Sequence, residues 1–143
     1  DYFAYTEDID LGFRLRLAGV RCIYLPNAEV LHVGSGSSGP RSPQAAYYHQ
    51  RNMVWTFFKN MPGLLLAIFL PLHIAVNTLL ALNSLINTGK TVYLKAKWDA
   101  ITGLPKILRK RQSVQCLRKV SLSAILAVMD TNLLSPLREG RRK

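Results

Sequence analysis

The sequence predicts an α/β fold followed by membrane-associated α-helices, and three observations support this prediction. Residues 21–25 and 29–33 are short apolar runs typical of strands, and they lie among segments with helical patterns. Residues 63–86 carry no formal charge, and residues 87–143 are strongly basic. We therefore predict an α/β part over residues 1–62, an apolar membrane-embedded or interfacial helical segment over 63–86, and a basic amphipathic helical region over 87–143.

Residues 5–19 carry signals for both a strand and a helix. Apolar and polar residues alternate through most of this stretch, which is typical of a strand. However, Thr6 is a good N-cap residue, acidic residues fill the first turn, and Gly19 stands where a helix C-terminal cap belongs. We predict a helix, which places Glu7 and Asp8 at its N-terminus, towards any pocket there.

Two strands and a loop are predicted to follow this helix. Residues 21–25 form the first strand, which ends at the turn pair Pro26-Asn27, and residues 29–33 form the second. Residues 34–43 contain three Gly, four Ser and two Pro, a composition that predicts a mobile loop.

The next two predicted helices differ in polarity. Residues 45–60 form an aromatic-rich helix that ends at Pro62. Residues 63–86 exceed the roughly twenty residues that cross a bilayer, but Pro71 should kink this segment and two Asn residues within it need partners in lipid. A single crossing, a membrane-embedded or interfacial helical hairpin and a buried soluble helix all remain open.

The C-terminal region is predicted to bind a membrane surface. Residues 93–118 place Lys and Arg between apolar residues at helical spacing, which is the pattern of an interfacial helix. Residues 121–134 form a further apolar helix, and we expect residues 138–143 to be disordered.

Charge is distributed unevenly along the chain. The formal net charge is +11; five of the eight acidic residues lie in the first 29 positions, and thirteen Lys and Arg residues lie in 87–143. This asymmetry indicates an anionic partner. The adjacent apolar segment favours lipid over nucleic acid, so we expect an anionic membrane surface and no nucleic-acid partner. Cys22 and Cys116 are too few and too far apart for a disulfide framework or a zinc site.

The strongest motif is the acidic run at the start of the chain. Residues 3–19 read FAYTEDIDLGFRLRLAG, residues 47–52 read YYHQRN, and residues 59–62 read KNMP. These segments resemble the bacterial rhamnosyltransferase-like group of inverting family-two glycosyltransferases. The resemblance covers residues 1–62 and implies a GT-A (Rossmann-like) fold that binds a nucleotide sugar, of which this chain would be the C-terminal portion.

The resemblance implies roles for several side chains. Asp8 would be the general base that removes the proton of the acceptor hydroxyl, and Glu7 would orient Asp8 or bind the acceptor. Asp10, Arg51 and Trp55 are weaker candidates for binding the acceptor or its phosphate. The simpler alternatives are that the acids only cap a helix and that Trp55 only packs in the core.

A divalent metal is expected in the full-length enzyme. His32 resembles the histidine that completes a metal site in some members of the group, and imidazole suits Mn²⁺ better than Mg²⁺. The Asp-x-Asp metal motif and the N-terminal nucleotide-binding strands of the group are missing from this chain. We therefore expect the 143-residue chain alone to be inactive.

The implied partners are a nucleotide-sugar donor, a glycan or lipid-linked acceptor, and the anionic surface of the bacterial inner membrane on its cytoplasmic face. The transferred sugar would be of the rhamnose type. A different function remains open, namely a non-catalytic basic module that binds a membrane surface. A nucleic-acid binder rests on charge alone and lacks a recognised motif.

Overall fold

The computed structural model describes residues 2–30, 42–88 and 91–129. These ranges contain six α-helices: α1 Glu7–Leu17, α2 Pro43–Asn60, α3 Gly63–Thr88, α4 Val92–Thr102, α5 Leu104–Cys116 and α6 Leu122–Leu126. α2 is the central helix, because it packs against α1, α4 and α5, while α3 packs against α4. All regular secondary structure in the described ranges is therefore helical.

The predicted α/β fold class is wrong for the described residues. Residues 21–25 have no regular secondary structure, and residues 29–30 likewise form no strand. Ile23 is 77% exposed and Tyr24 is 86% exposed, so the predicted first strand buries neither face. A short apolar run becomes a strand only where a neighbouring strand pairs with it and a core covers it. The GT-A-like sheet is thus not found in these ranges, and residues 31–33 lie outside them.

The helical interpretation of residues 5–19 is confirmed by α1. Its C-terminus is closed by Gly19, which has φ +80°. The Gly19 amide donates to the Arg16 carbonyl, and the Val20 amide donates to the Leu15 carbonyl at 2.9 Å. This pair of bonds is a Schellman motif, which requires the left-handed conformation that glycine adopts without strain. The sequence signal that agrees with the structure here is the C-terminal glycine, and not the strand-like alternation of apolar and polar residues.

The prediction of a helix over residues 45–60 is confirmed by α2, whose C-terminus is held by side chains of α5. Arg111 donates to the carbonyl oxygens of Phe58 and Met61 at 2.7 and 2.6 Å. Gln115 donates to the Asn60 carbonyl at 2.9 Å. Because the last carbonyls of a helix lack partners within it, these bonds fix α5 across the end of α2.

The apolar segment forms one continuous helix, α3, and Pro71 lies within it. The hairpin alternative is therefore not observed. The two Asn residues of this segment are satisfied by protein groups: Asn77 donates to the His73 carbonyl at 2.7 Å, and Asn83 accepts from Asn87 at 2.6 Å. Only 11% of the most apolar window of α3 is buried, so the helix is long and apolar enough to cross a membrane and exposes most of that surface.

The predicted basic helix over 93–118 is two helices, α4 and α5, that meet at Gly103. A Cβ atom at Gly103 would lie 2.6 Å from Cζ2 of Trp55, so only glycine allows α4 and α5 to pack this closely on α2. α6 spans five residues, with Ser121 accepting a capping bond from the Ala124 amide. The helix predicted over residues 121–134 is therefore shorter than expected, because residues 127–129 form a turn and a bend. Residues 130–134 of that prediction and the tail lie outside the described residues.

The main core lies where α1, α3, α5 and α6 meet the end of α2. Its buried side chains are apolar residues from these five elements: Leu17, Met61, Leu65, Val114 and Ile125. The core anchors the C-terminal end of α1, which leaves the N-terminal end of α1 to be positioned by α2.

Candidate functional site

The site begins at a strained turn that leads into α1. Tyr5 has φ +67° and Thr6 has φ +72°, although neither residue is glycine. Two consecutive left-handed residues, one of them β-branched, are rare, and such strain is retained where the surrounding structure enforces it. The predicted side-chain cap is also absent, because Thr6 Oγ1 is buried without a hydrogen-bond partner among the described residues. Glu7 and Asp8 follow this turn directly.

Asn52 of α2 holds the strained turn in place. This residue is completely buried, and its side-chain amide donates to the carbonyl oxygens of Ala4 at 2.9 Å and Tyr5 at 2.8 Å. Arg51 donates from Nε and Nη2 to the Asn52 side-chain oxygen at 3.1 and 3.0 Å. Arg51 therefore orients the Asn52 amide, and Asn52 orients the backbone that leads to the acidic pair.

The two acids of the motif occupy different environments. Asp8 is exposed, and its Oδ1 accepts a 2.8 Å hydrogen bond from the amide of Ile9. Glu7 is also exposed, but it lines a polar cleft of about 450 Å³ that Asp8 does not line. Asp8 is thus open to an approaching hydroxyl group, whereas Glu7 faces the neighbouring helices.

Asp10 lies at the centre of a buried ionic network. Its carboxylate pairs with Lys59 at 2.8 Å and with Arg14 at 3.0 Å, and it accepts a 2.7 Å hydrogen bond from Asn60. Tyr2 packs beside the network, with its ring 4.6 Å from the Lys59 ammonium. Burial alone would raise the pKa of Asp10, but the bonds and charges of Lys59, Asn60 and Arg14 outweigh it and hold the pKa below its ordinary value.

The polar cleft extends from this network to α5. Its lining combines the acids Glu7 and Asp10 with cationic and hydroxyl groups from four elements: Tyr2, Arg14, Lys59, Lys110 and Ser113. Three cations and two carboxylates give this lining a formal net charge of +1, which suits an anionic ligand better than a cationic one. Asp10 serves here to hold Lys59 and Arg14 in place, and its role in binding an acceptor stays a prediction.

Arg51 and Trp55 stack on each other along α2. The Arg51 guanidinium lies 4.3 Å from the centre of the Trp55 ring and 5.0 Å from that of Tyr48. The Trp55 indole nitrogen donates to the Ala100 carbonyl at 2.9 Å, which ties α2 to α4. Trp55 therefore has a packing role, as the simpler alternative expected. Contacts of Arg51 or Trp55 with an acceptor remain predictions.

The predicted metal ligand, His32, lies outside the described residues. Within the three described ranges, no group of three or more His, Cys, Asp or Glu side chains converges. The residues that the structure describes do not by themselves fit a divalent metal, so no step of the reaction is assigned to one. The metal stays an expectation for the full-length enzyme.

Three functional candidates were missed by sequence reasoning. Asn52 and Lys59 lie inside segments that carry the family resemblance, but their contacts join positions about fifty residues apart. Lys97 lies in the basic stretch that predicted a surface helix, yet its ammonium is directed inwards to Gln50 and Asn77. No local pattern reveals such inward contacts.

Comparisons with known proteins match part of this chain to rhamnosyltransferases of two mycobacterial strains. A segment of 49 residues, 33% of this chain, is 51% identical to an N-acetylglucosaminyl-diphospho-decaprenol L-rhamnosyltransferase of Mycobacterium tuberculosis strain CDC 1551 / Oshkosh. The same identity is found for the protein of this name in strain ATCC 25618 / H37Rv. The match spans 16% of the length of each relative. No family model matches, and no solved structure matches significantly. The chain is thus similar, over a third of its length, to a rhamnosyltransferase-type glycosyltransferase.

Proposed function

We propose that this chain is part of an inverting glycosyltransferase that moves a sugar of the rhamnose type from a nucleotide-sugar donor to a lipid-linked acceptor. The observation that carries the proposal is the position of Glu7 and Asp8 directly after a strained turn that Asn52 clamps. Strain that a buried side chain maintains is characteristic of functional sites. The similarity to the mycobacterial rhamnosyltransferases supports the same reaction class.

In the proposed reaction, the Asp8 carboxylate takes the proton of an acceptor hydroxyl as its oxygen attacks the anomeric carbon of the donor. A bond forms between the acceptor oxygen and that carbon, and the bond from the carbon to the donor diphosphate breaks. The nucleoside diphosphate leaves with the electron pair, and the configuration at the anomeric carbon inverts. A hydroxyl is a weak nucleophile at neutral pH, so a carboxylate in hydrogen-bond reach lowers the barrier.

Membrane association is the second part of the proposal. α3 exposes a long apolar surface, and Lys106, Arg109 and Lys110 of α5 are exposed. Lys97 of α4 contacts Asn77 near the middle of α3. If α3 crossed the bilayer, this ammonium would lie near the bilayer centre, at a cost of at least about 2.5–3.5 kcal/mol. We therefore place α3 in the interface, with the basic residues towards anionic lipid on the cytoplasmic face.

The proposal is tested by incubating the full-length protein with a nucleotide-rhamnose and a lipid-linked N-acetylglucosamine acceptor. We expect transfer of the sugar, with a product whose anomeric configuration is opposite to that of the donor in an NMR spectrum. Retained configuration would contradict the single-displacement reaction.

The alternative is a non-catalytic module that binds membrane surfaces. The exposed apolar surface of α3 favours this module as much as it favours a membrane-associated enzyme. Its distinguishing test is deletion of residues 1–40. The alternative is supported if the truncated protein still binds liposomes and the full-length protein transfers sugar from no nucleotide sugar. This result would exclude a glycosyltransferase function.

A further inference from the structure

A second cleft, of about 430 Å³, lies between α2, α3 and α4. Its walls are almost entirely apolar and come from all three helices: Val54, Phe58, Ile74, Leu82, Leu94 and Ile101. Four of these side chains, those at positions 74, 82, 94 and 101, are between 40% and 59% exposed, so the groove opens to the outside. This apolar groove lies beside the membrane-facing helix.

Lys97 is the one residue with a full charge in the lining of the apolar groove. Its ammonium donates to the main-chain oxygen of Gln50 at 2.9 Å, to the Gln50 side-chain oxygen at 2.8 Å and to the side-chain oxygen of Asn77. All three acceptors are neutral, and no carboxylate of the described ranges lies within ion-pair distance of Lys97. A partly buried cation without a counter-charge loses some of its hydration, and an incoming anion offsets that cost.

His73 supplies a second polar group to the apolar groove. Its ring stacks on Phe57, with ring centres 3.9 Å apart and planes inclined by 7°. Nε2 is buried and has no hydrogen-bond partner among the described residues. A buried polar atom without a partner costs free energy that a ligand can recover by hydrogen bonding. His73 thus lacks a hydrogen-bond partner and Lys97 lacks a counter-charge, and the phosphate of a ligand would provide both.

The Lys97 ammonium also acts on His49 of α2. Partial burial lowers the pKa of His49, the Lys97 ammonium lowers it further, and the Asp8 carboxylate opposes both effects.

We propose that the apolar groove binds the lipid-linked acceptor, with its walls around the first part of a hydrocarbon chain and Lys97 and His73 against the phosphate. This inference rests on the proposed function and names the substrate-binding surface for it. The phosphate would replace the Gln50 side-chain oxygen at the Lys97 ammonium. The volume is at the lower end of the roughly 300–1,000 Å³ typical of ligand pockets, which suits one chain and not the two chains of a phospholipid.

The test uses farnesyl diphosphate as the probe and the protein in phosphatidylcholine nanodiscs. We expect Lys97→Met to weaken binding about tenfold or more, because a charge-assisted hydrogen bond is lost, and Lys97→Arg to retain most of it. Lys95→Met is the matched control, since Lys95 is an exposed lysine of the same helix that does not line the groove. Equal binding by Lys97→Met and Lys95→Met would overturn the proposal.

Three competitors separate the sources of the phosphate. Farnesol has no phosphate, so its affinity for the wild-type protein should be no higher than the affinity of farnesyl diphosphate for Lys97→Met. Neither inorganic diphosphate nor phosphatidylglycerol should displace the probe at comparable concentration. Full displacement by inorganic diphosphate would show a site for free phosphate, and full displacement by phosphatidylglycerol would show a phospholipid site. Either result overturns the proposal.

A second variant tests the apolar walls without touching Lys97. Ile74→Trp adds bulk at a groove-lining position that is 55% exposed, and Leu117→Trp adds similar bulk at a position after α5 that is 47% exposed and does not line the groove. We expect only Ile74→Trp to weaken binding, by about tenfold. Because binding needs no sugar transfer, an unaffected Ile74→Trp overturns this inference alone, whereas an enzyme without transferase activity overturns only the proposed function.

The pH dependence of binding provides a further readout. Burial lowers the pKa of Lys97 to about 8. Two histidines interact electrostatically with Lys97, namely His49 of α2 and His73 of α3. Histidines ordinarily titrate near pH 6.5, which is below the range in which Lys97 titrates. Binding of the probe should therefore fall between pH 7 and pH 9 in the wild type and stay constant in Lys97→Arg. A parallel decline in both proteins would contradict the role of Lys97.

Discussion

The side chain of Asn52 donates a 2.8 Å hydrogen bond to the main-chain oxygen of Tyr5, across 47 positions of sequence. Tyr5 and Thr6 both have positive φ, and Glu7 follows them at the start of α1. The middle of α2 therefore determines where the acidic motif begins. Two segments that carry the family resemblance, one around the acidic pair and one around Arg51, meet through this contact.

Replacing Asn52 with alanine should release the strained turn. Two part-buried hydrogen bonds from the fully buried Asn52 amide to main-chain carbonyls are lost, so we expect a loss of about 1–3 kcal/mol in the free energy of unfolding. Urea denaturation measures this change. Asn87→Ala removes an amide of the same size that makes an exposed hydrogen bond to Asn83 and should change the free energy by less than about 0.5 kcal/mol. Equal effects would contradict the clamp.

Gly103→Ala should destabilise the packing of α4 and α5 on α2. The added Cβ would lie 2.6 Å from Cζ2 of Trp55 and 3.1 Å from the Asp99 carbonyl oxygen. Overpacking of this kind costs about 1–3 kcal/mol. Gly12→Ala is the matched change within α1, because nothing lies within 4 Å of its added Cβ, and it should stabilise the protein by about 0.5–1 kcal/mol. Thermal unfolding of the two variants should shift in opposite directions.

Asp10→Asn should be strongly destabilising, because it leaves Lys59 buried without its counter-charge. The pair lies at 2.8 Å with both side chains less than 10% exposed, and breaking such a pair costs about 3–5 kcal/mol. A double variant, Asp10→Leu with Lys59→Met, should recover much of the loss in a denaturation experiment. A double variant that is less stable than Asp10→Asn would show that the cost does not come from the unpaired charge.

The same carboxyl group should make stability fall in acid. The pKa of Asp10 is lowered in the folded protein, whereas the unfolded chain has the ordinary value of 3.8. The stabilisation is therefore complete above the unfolded value and is lost as pH falls from about 3.8 through the folded value. Urea midpoints measured between pH 5 and pH 2 should decline more steeply in the wild type than in the Asp10→Leu, Lys59→Met double variant. Parallel declines would contradict this assignment.

The exposed face of α3 should carry membrane binding. Leu79→Glu places a charge on a side chain that is 64% exposed and should reduce flotation of the protein with anionic liposomes several-fold, because apolar contact with the interface is lost and the new carboxylate repels anionic lipid. Gln44→Glu introduces the same charge at an exposed position of α2 and should leave flotation nearly unchanged. If both variants float as the wild type does, α3 does not contact the membrane.

Local sequence patterns predicted where α1 and α2 form, but they did not predict which side chains of different helices are in contact. α1 and α2 were predictable because terminal glycine and proline act within a few residues, although the side-chain cap predicted at Thr6 did not form. Residues 21–25 were misassigned because strand formation depends on a pairing partner that a single segment does not reveal. The inward direction of Lys97 and the Asn52 clamp depend on helix packing across about fifty positions, so composition indicated only a basic surface and a polar cluster there.

The most direct test of the proposed chemistry is the rate of sugar transfer by the full-length protein that carries Asp8→Asn. Glu29→Gln is the control, since Glu29 is an exposed carboxylate outside the helices. We predict that Asp8→Asn lowers the transfer rate by about 10²–10⁴-fold with an unchanged unfolding midpoint, while Glu29→Gln transfers at the wild-type rate. Transfer by Asp8→Asn at the wild-type rate would contradict the assignment of Asp8 as the general base.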